Sequence, residues 1–411
     1  MLVLRKLSVI STVGAIATLA ACGGPTMPTS AATGAAPRSV LANPIIAELR
    51  ATGGIETAAI DRPHMKSWST PNAARQSIYV VDPGQAGYYG GVCYYGPLGG
   101  AQLGCLDGGA SSASGIDFPQ GSWIDVQKHL FVANGASSGG YSGQVTEYDL
   151  PLSASSTPIN TLYSSVSNPS EGAMLGYVCG DREGNIYGTT IYSTTIAVWK
   201  AGTMNGTQTS TLTDSKLKNV GSPSLADGPV ACATNAAGDL FISGQFALGT
   251  SGNWRYYAEL DEFHGGASGP GRPKVLQRET SDLYFPAGVA LDQSGNVAWA
   301  LFNLNDSGSD VCTYSKPYTG SPTSCTSGFA TGFHFTKDAT DLWGGDTTVY
   351  PWYAQPGPQK TANEIAYPGG GLVQSTSGSG LYLPVDASVY PTSRKRHAIK
   401  REHFGEQRGR I

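Results

Sequence analysis

The sequence predicts an all-β protein assembled from one repeated four-stranded unit. Three observations lead there. Charged residues make up only 14% of the 411, while Gly numbers 55 and Pro 25. Good helix formers are therefore scarce and turn residues abundant, which excludes a coiled coil or an ordinary helical enzyme. Next, 40% of residues are hydrophobic and 21 are Tyr, so the chain has apolar surface to bury and is not disordered throughout. Finally, short stretches of the chain resemble one another at a regular spacing.

Three copies are clearest. They are Gly176-Tyr-Val-Cys-Gly-Asp-Arg-Glu-Gly-Asn-Ile-Tyr-Gly188, Pro229-Val-Ala-Cys-Ala-Thr-Asn-Ala-Ala-Gly-Asp-Leu-Phe-Ile242 and Gly288-Val-Ala-Leu-Asp-Gln-Ser-Gly-Asn-Val-Ala-Trp299. Each is a short apolar strand, a four-residue turn ending in Gly-Asn or Gly-Asp, and a second apolar strand. Gly, Asn and Asp tolerate the positive φ of a tight hairpin. Weaker copies run from Trp123 to Val132 and from Phe333 to Trp343, and another begins near Trp68. Second strands thus start near residues 78, 130, 186, 240, 297 and 342. A third strand ends in an aromatic in each unit, as in Val92–Tyr95, Val145–Tyr148, Ile196–Trp199, Leu260–Phe263, Val311–Tyr314 and Glu364–Tyr367.

A period near 50 residues is room for four short strands and their turns. Six copies predict a six-bladed β-propeller of four-stranded antiparallel blades over residues 64–391, with seven blades as the alternative. Radial stacking lets each sheet bury both faces and leaves only short edges. A β-sandwich explains the period poorly. Leu381–Tyr390 resembles Leu283–Asp292 but has no partner strands after it. It is expected to close the ring against the first blade, a place for which His64–Ser69 competes.

The pattern Gly-Val-Ala-x-Asp-x-x-Gly-Asn-x-apolar at Gly288–Trp299 resembles the NHL-repeat group of propellers and its relative virginiamycin B lyase. The resemblance implies the architecture. Catalytic members hold metal-binding Glu and Asp, or a His with acidic partners, at set loop positions. Those positions do not map onto this chain residue by residue, so no activity is implied.

The ends of the chain differ from its body. Arg5 and Lys6 precede an apolar run, Leu7–Leu19, too short to span a bilayer. Leu19-Ala20-Ala21-Cys22 resembles the bacterial lipobox, which implies a signal peptide over 1–21 and lipidation at Cys22. The acyl chains would anchor the chain outside the cytoplasm, in the periplasm or at the cell surface. Residues 22–63, rich in Gly, Ala, Pro, Thr and Ser, read as a flexible tether. Residues 392–411 form a basic tail with Arg394, Lys395, Arg396, Lys400, Arg401, Arg408 and Arg410. Setting aside the leader's two basic residues, the tail's seven and the tail's two acidic ones leaves 17 basic against 28 acidic residues. A body this acidic makes nucleic acid an unsuitable partner.

Cys22 aside, six cysteines remain, an even number for an exported chain. Cys93 and Cys312 hold the same place in two third strands, and Cys105 and Cys325 follow 12 and 13 residues later. This predicts the cross-strand disulfides Cys93–Cys105 and Cys312–Cys325. Cys179 and Cys232 lie on first strands of consecutive units, where they form either a third disulfide or two buried thiols.

Motifs that carry chemistry are few. Gly135-Ala-Ser-Ser-Gly139 matches G-x-S-x-G, but a loop and not a helix follows, so it reads as a turn. Asn303–Asp310 has the oxygen density of a calcium loop without the bidentate Glu. Asp181, Asn235 and Asp292 recur at one place and are expected to cap turns. His64, His129, His264 and His334 fall in different units and form no cluster in sequence. Aromatic loops are the better lead. Tyr88, Tyr89, Trp254, Tyr256, Tyr257, Trp352 and Tyr353 lie in or beside the connection of second to third strands, where their rings would stack on a ligand. The functional expectation is a lipid-anchored propeller that binds a partner protein or saccharide without chemistry or cofactor. The alternative is a metal-dependent propeller hydrolase or lyase, with a divalent ion at the mouth of the central channel.

Overall fold

A computed structural model of the chain describes residues 78–390, except for 85–89, 97–98, 110–111, 126, 136–142, 166–173, 192, 215–216, 218–227, 251–252, 280, 282–283, 293, 304–307, 331–334, 337–351, 356–360, 366–371, 378–380 and 382–383. The lipobox at Cys22, the tether, the basic tail, His64, His334, Tyr88, Tyr89, most of the G-x-S-x-G segment and the middle of Asn303–Asp310 lie outside the described residues.

Strand follows strand along the chain. The first three are β1 (Ile78–Asp82), β2 (Gly91–Gly96) and β3 (Gly99–Asp107). Next come β4 (Pro119–Ile124), β5 (His129–Asn134), β6 (Gln144–Asp149) and β7 (Asn160–Tyr163). They are followed by β8 (Met174–Gly180), β9 (Ile186–Ile191), β10 (Thr195–Trp199) and β11 (Ser210–Thr213). After these come β12 (Gly228–Thr234), β13 (Leu240–Thr250), β14 (Asn253–Phe263) and β15 (Pro273–Glu279). Then follow β16 (Tyr284–Leu291), β17 (Val297–Asn303), β18 (Gly308–Tyr314) and β19 (Ser324–Ala330). The last are β20 (Phe335–Thr336), β21 (Trp352–Gln355), β22 (Thr361–Ile365), β23 (Leu372–Ser377) and β24 (Asp386–Val389). A 3-10 turn at Gly266–Ser268 is the one helical element among the described residues. No helix there is long and apolar enough to cross a membrane.

β4–β7, β8–β11, β12–β15 and β16–β19 each form a four-stranded antiparallel sheet in sequence order. The remaining strands form one eight-stranded sheet, ordered β20-β21-β22-β23-β3-β2-β1-β24. The first strands pack round a common axis: β4 touches β8, β8 touches β12, β12 touches β16, β16 touches β20, β20 touches β24 and β24 touches β4. The fold is a propeller of four-stranded antiparallel blades. The strands make five sheets, however, where six or seven separate blades were expected. The reason is a parallel pairing, Thr376↔Gly100 and Ser377↔Ala101, which joins the last unit to the first. Sequence periodicity carries no trace of it.

Burial follows position in the blade. β1 and β4 are buried at every residue, because neighbouring sheets cover both their faces. The outermost strand β11 is mostly exposed, and β15 is buried only at Leu276. Large rings fill the space between sheets, among them Trp199, Trp299, Tyr148 and Phe241, all fully buried. The predicted turn caps are present. Asp181 Oδ1 accepts the backbone N–H groups of Glu183 and Asn185, and Asn235 Oδ1 accepts those of Ala237 and Asp239. Asp292 accepts from Asn296, and Asp125 is a fourth copy, accepting from Gln127 and His129. Three residues after each cap the chain turns with φ of 85°, 85° and 74° at Gly184, Gly238 and Gly295, and with 74° at Lys128.

Three disulfides are present: Cys93–Cys105, Cys312–Cys325 and Cys179–Cys232. The first two link residues already paired across strands. The third joins β8 to β12, hence one sheet to the next. Three disulfides are compatible with an oxidising site outside the cytoplasm. At the closure, β24 pairs with β1, and Ile78 lies opposite Val389. The stretch ending at Tyr390 thus takes the first-strand position for which residues 64–69 competed. Ser122 on β4 donates its N–H and hydroxyl to buried Asp386 on β24, at 2.7 and 2.8 Å, which ties the closing strand to its neighbour. The second strand expected near residue 342 falls outside the described residues, and β21 pairs with β20 in the described part of this unit.

Candidate functional site

Turns at one end of the β4–β7 and β8–β11 sheets enclose a cleft of about 520 Å³. Trp123, Phe131 and Trp199 form its floor, Ile159 and Met204 its apolar rim, and Asp125, Glu147, Asp181 and Glu183 its acidic side, with Arg182 and Lys200 as the two basic residues of the lining. Sheet geometry explains the floor. Trp123 leaves β4 toward the neighbouring sheet, and a Cβ placed on Gly180 would fall 2.4 Å from its ring. Gly180 has no side chain, so the indole can lie flat against β8.

His129 stands at the centre of the acidic side. It opens β5, directly opposite Asp149 on β6. Its Nδ1 lies 3.1 Å from Asp125 Oδ2 and 3.1 Å from Glu147 Oε1, and its Nε2 lies 3.5 Å from Asp149 Oδ1. Asp125 is held by the turn it caps. Glu147 is held on its other oxygen by Asn160 Nδ2, at 2.9 Å, and Asn160 in turn donates to Thr203 O on the neighbouring sheet. Burial raises the Glu147 carboxyl above its ordinary range. Asn160 and His129 pull it back down, and the negative charges of Asp125 and Asp149 push it up again. The imidazole therefore sits among three carboxylates, two of them at its Nδ1 and the exposed Asp149 nearest its Nε2.

The rings of the floor are covered. Trp199 is fully buried and Trp123 and Phe131 nearly so. The large exposed apolar side chains at the rim are Ile159 and Met204, 41% and 62% exposed. A ligand therefore meets aliphatic and thioether groups beside carboxylates, not open ring faces.

The aromatic candidates read from the sequence lie elsewhere. Trp254, Tyr256 and Tyr257 are on β14, in the part that extends the β13–β14 hairpin, and Trp352 and Tyr353 are on β21. All five are strand residues, and for the first three the reason is that the β13–β14 hairpin continues as far as Thr250 and Asn253. The β13–β14 tip is at the opposite end of its blade from the turns that border the cleft. Tyr257 is half-buried and packs against core side chains. The cleft was missed because its parts, His129, Glu147, Asn160 and Thr203, come from two units. The available signal was that Asp125, His129, Glu147 and Asp149 fall at the strand ends of one repeat unit.

A second buried charge cluster lies between the β8–β11 and β12–β15 sheets. Asp214, Glu259 and Asp261 are fully buried. Arg278 Nε donates to Glu259 Oε2 at 2.6 Å. Burial, reinforced by the neighbouring carboxylates, pushes the Asp261 carboxyl up to about 11.

No protein-family model matches the chain, and no curated protein matches it in sequence. Several solved structures resemble it. A candidate 6-phosphogluconolactonase of Bacteroides fragilis is 11% identical with a TM-score of 0.47, over 79% of this chain and 100% of that one. Regucalcin, a calcium-binding protein of Agrobacterium tumefaciens, is 10% identical with a TM-score of 0.38, over 66% and 78%. A candidate glucose dehydrogenase of Thermus thermophilus is 14% identical with a TM-score of 0.40, over 67% and 87%. At such identities and scores neither activity nor site residues carry over to this chain.

Proposed function

We propose that the chain is an exported propeller, lipid-anchored at Cys22 in the cell envelope, whose acidic cleft binds a basic segment of a partner protein without chemistry. The eight-stranded sheet then counts as two blades of a six-bladed ring, fused at their outer strands. One observation supports the ligand class above the others. Exposed Ile159 and Met204 stand beside the carboxylates of Asp125, Glu147 and Asp149 that surround His129. Such a surface suits Lys or Arg side chains with aliphatic neighbours. A saccharide would need open ring faces, and the floor rings are buried.

The test is fluorescence anisotropy with a short labelled peptide of alternating Lys and Leu. Saturable binding is expected, weakened by added salt and by about tenfold in Ile159→Glu with Met204→Glu. An all-Asp/Leu peptide should not bind. Equal binding of both peptides, or no loss in the double variant, would refute the proposal.

A further inference from the structure

A second His–carboxylate group occurs in the β12–β15 sheet, at backbone positions that repeat those around His129. In the β4–β7 sheet, Leu130 pairs with Tyr148, Phe131 with Glu147, and His129 with Asp149. In the β12–β15 sheet, Leu240 pairs with Phe263 and Phe241 with Glu262. Asp239 and His264 come next, one step beyond the Leu240–Phe263 pair. The same three side-chain types thus occupy the same three places, with His and Asp exchanged between strands.

The exchange changes what the group can do. His129 sits inward, only 22% exposed, with carboxylates on both ring nitrogens. His264 sits outward, 83% exposed, and its Nδ1 lies 2.8 Å from Asp239 Oδ1. A ligand atom from each of Asp239, Glu262 and His264 lies within 4.8 Å of the other two. Asp239 is fixed from behind: Asn235 Nδ2 donates to its Oδ2 at 2.8 Å and the Gly265 N–H to its Oδ1 at 2.9 Å. Such outer hydrogen bonds aim a ligating carboxylate. Glu262 Oε2 has Lys274 Nζ at 3.9 Å, a loose pair that a doubly charged ion can displace.

We propose that Asp239, Glu262 and His264 bind a divalent ion of the zinc class, with water completing its shell on the open side. One imidazole nitrogen and two carboxylates suit a borderline ion such as Zn²⁺, whereas Ca²⁺ and Mg²⁺ prefer all-oxygen shells. Three protein ligands with an open fourth position form an exchangeable site, not a closed structural one. The ion would replace the His264–Asp239 hydrogen bond, and a small rotation of the exposed imidazole is enough to admit it. This site is separate from the peptide cleft and does not depend on it.

Titration calorimetry of the tag-free full chain with ZnCl₂ tests the site, with Co²⁺ absorption as a second readout. The wild type should bind with a saturable transition and give a visible ligand-field spectrum on Co²⁺ addition. His264→Ala and Glu262→Gln should each weaken binding by about tenfold or more and remove the spectrum. His264 is exposed, so its removal leaves the fold intact. His129→Ala should leave the isotherm unchanged. Absence of a saturable transition in the wild type, an unchanged isotherm in His264→Ala, or loss of binding in His129→Ala would each overturn the proposal. Displacement of Zn²⁺ by equimolar Ca²⁺ would overturn the assigned class of ion.

Discussion

Replacing Cys179 and Cys232 together by Ala removes the covalent link between the β8–β11 and β12–β15 sheets. The two cysteines are 53 residues apart in sequence. In the chain-entropy model a loop of that length restricts the unfolded chain by about 4 kcal/mol at 25 °C. Cys93–Cys105 and Cys312–Cys325 close loops of only 12 and 13 residues, worth about 3 kcal/mol each by the same relation. Those two also bridge strands already hydrogen-bonded to each other, whereas Cys179–Cys232 spans an interface between separate sheets. The Cys179→Ala, Cys232→Ala chain should therefore lose the most, with a fall in melting temperature on the order of 10 °C. Scanning calorimetry and guanidinium midpoints, run beside a Cys93→Ala, Cys105→Ala control, provide the measurement. If the control is destabilised as much or more, loop length and sheet-to-sheet linkage do not govern the stability of this ring.

Three other outcomes are expected. Asp261 is neutral in the folded chain near pH 7 but ionised when unfolded, because its folded carboxyl is raised far above the ordinary range. Its contribution is complete below about pH 4 and is lost as pH rises toward the folded value. Wild-type guanidinium midpoints should then fall from pH 5 to pH 9, and Asp261→Asn should flatten that slope and raise the midpoint at pH 9. Gly238 has φ of 85°, and a Cβ added there would meet nothing within 4 Å, so Gly238→Ala carries only the backbone cost, about 1 kcal/mol by thermal melting. Gly180→Ala pushes a methyl into the Trp123 ring. It should cost roughly 1–3 kcal/mol, shift the tryptophan emission, and weaken binding of the Lys/Leu peptide.

The repeat was legible because three units spell the same turn. Asp181, Asn235 and Asp292 each accept turn hydrogen bonds, and a Gly three residues on must adopt positive φ, so chemistry forces a visible pattern. The cysteine pairs were legible for the same reason, since equivalent strands put Cys93 and Cys312 at equivalent places. The last unit was harder to follow. Among the described residues, β20 is two residues long and the next strand is β21 at Trp352. Fusion of the last and first units through Thr376 and Gly100 is a tertiary contact that no local pattern encodes. The cleft was hidden because its two walls belong to different sheets. A Glu on β6 is positioned by an Asn on β7, which is anchored on a carbonyl of the next blade. The aromatic runs were more conspicuous in sequence than His129, and their described backbone lies on β14 and β21.

Closure of the wheel by β24 against β1 has a geometric outcome for the rest of the chain. Ile78 and Val389 face each other across that pair, and the Tyr390 ring lies 5.8 Å from Lys128 Nζ, next to the turn that carries Asp125 and His129. Where the described chain begins and ends, its two termini therefore lie side by side at one face of the ring, next to the turn that borders the acidic cleft.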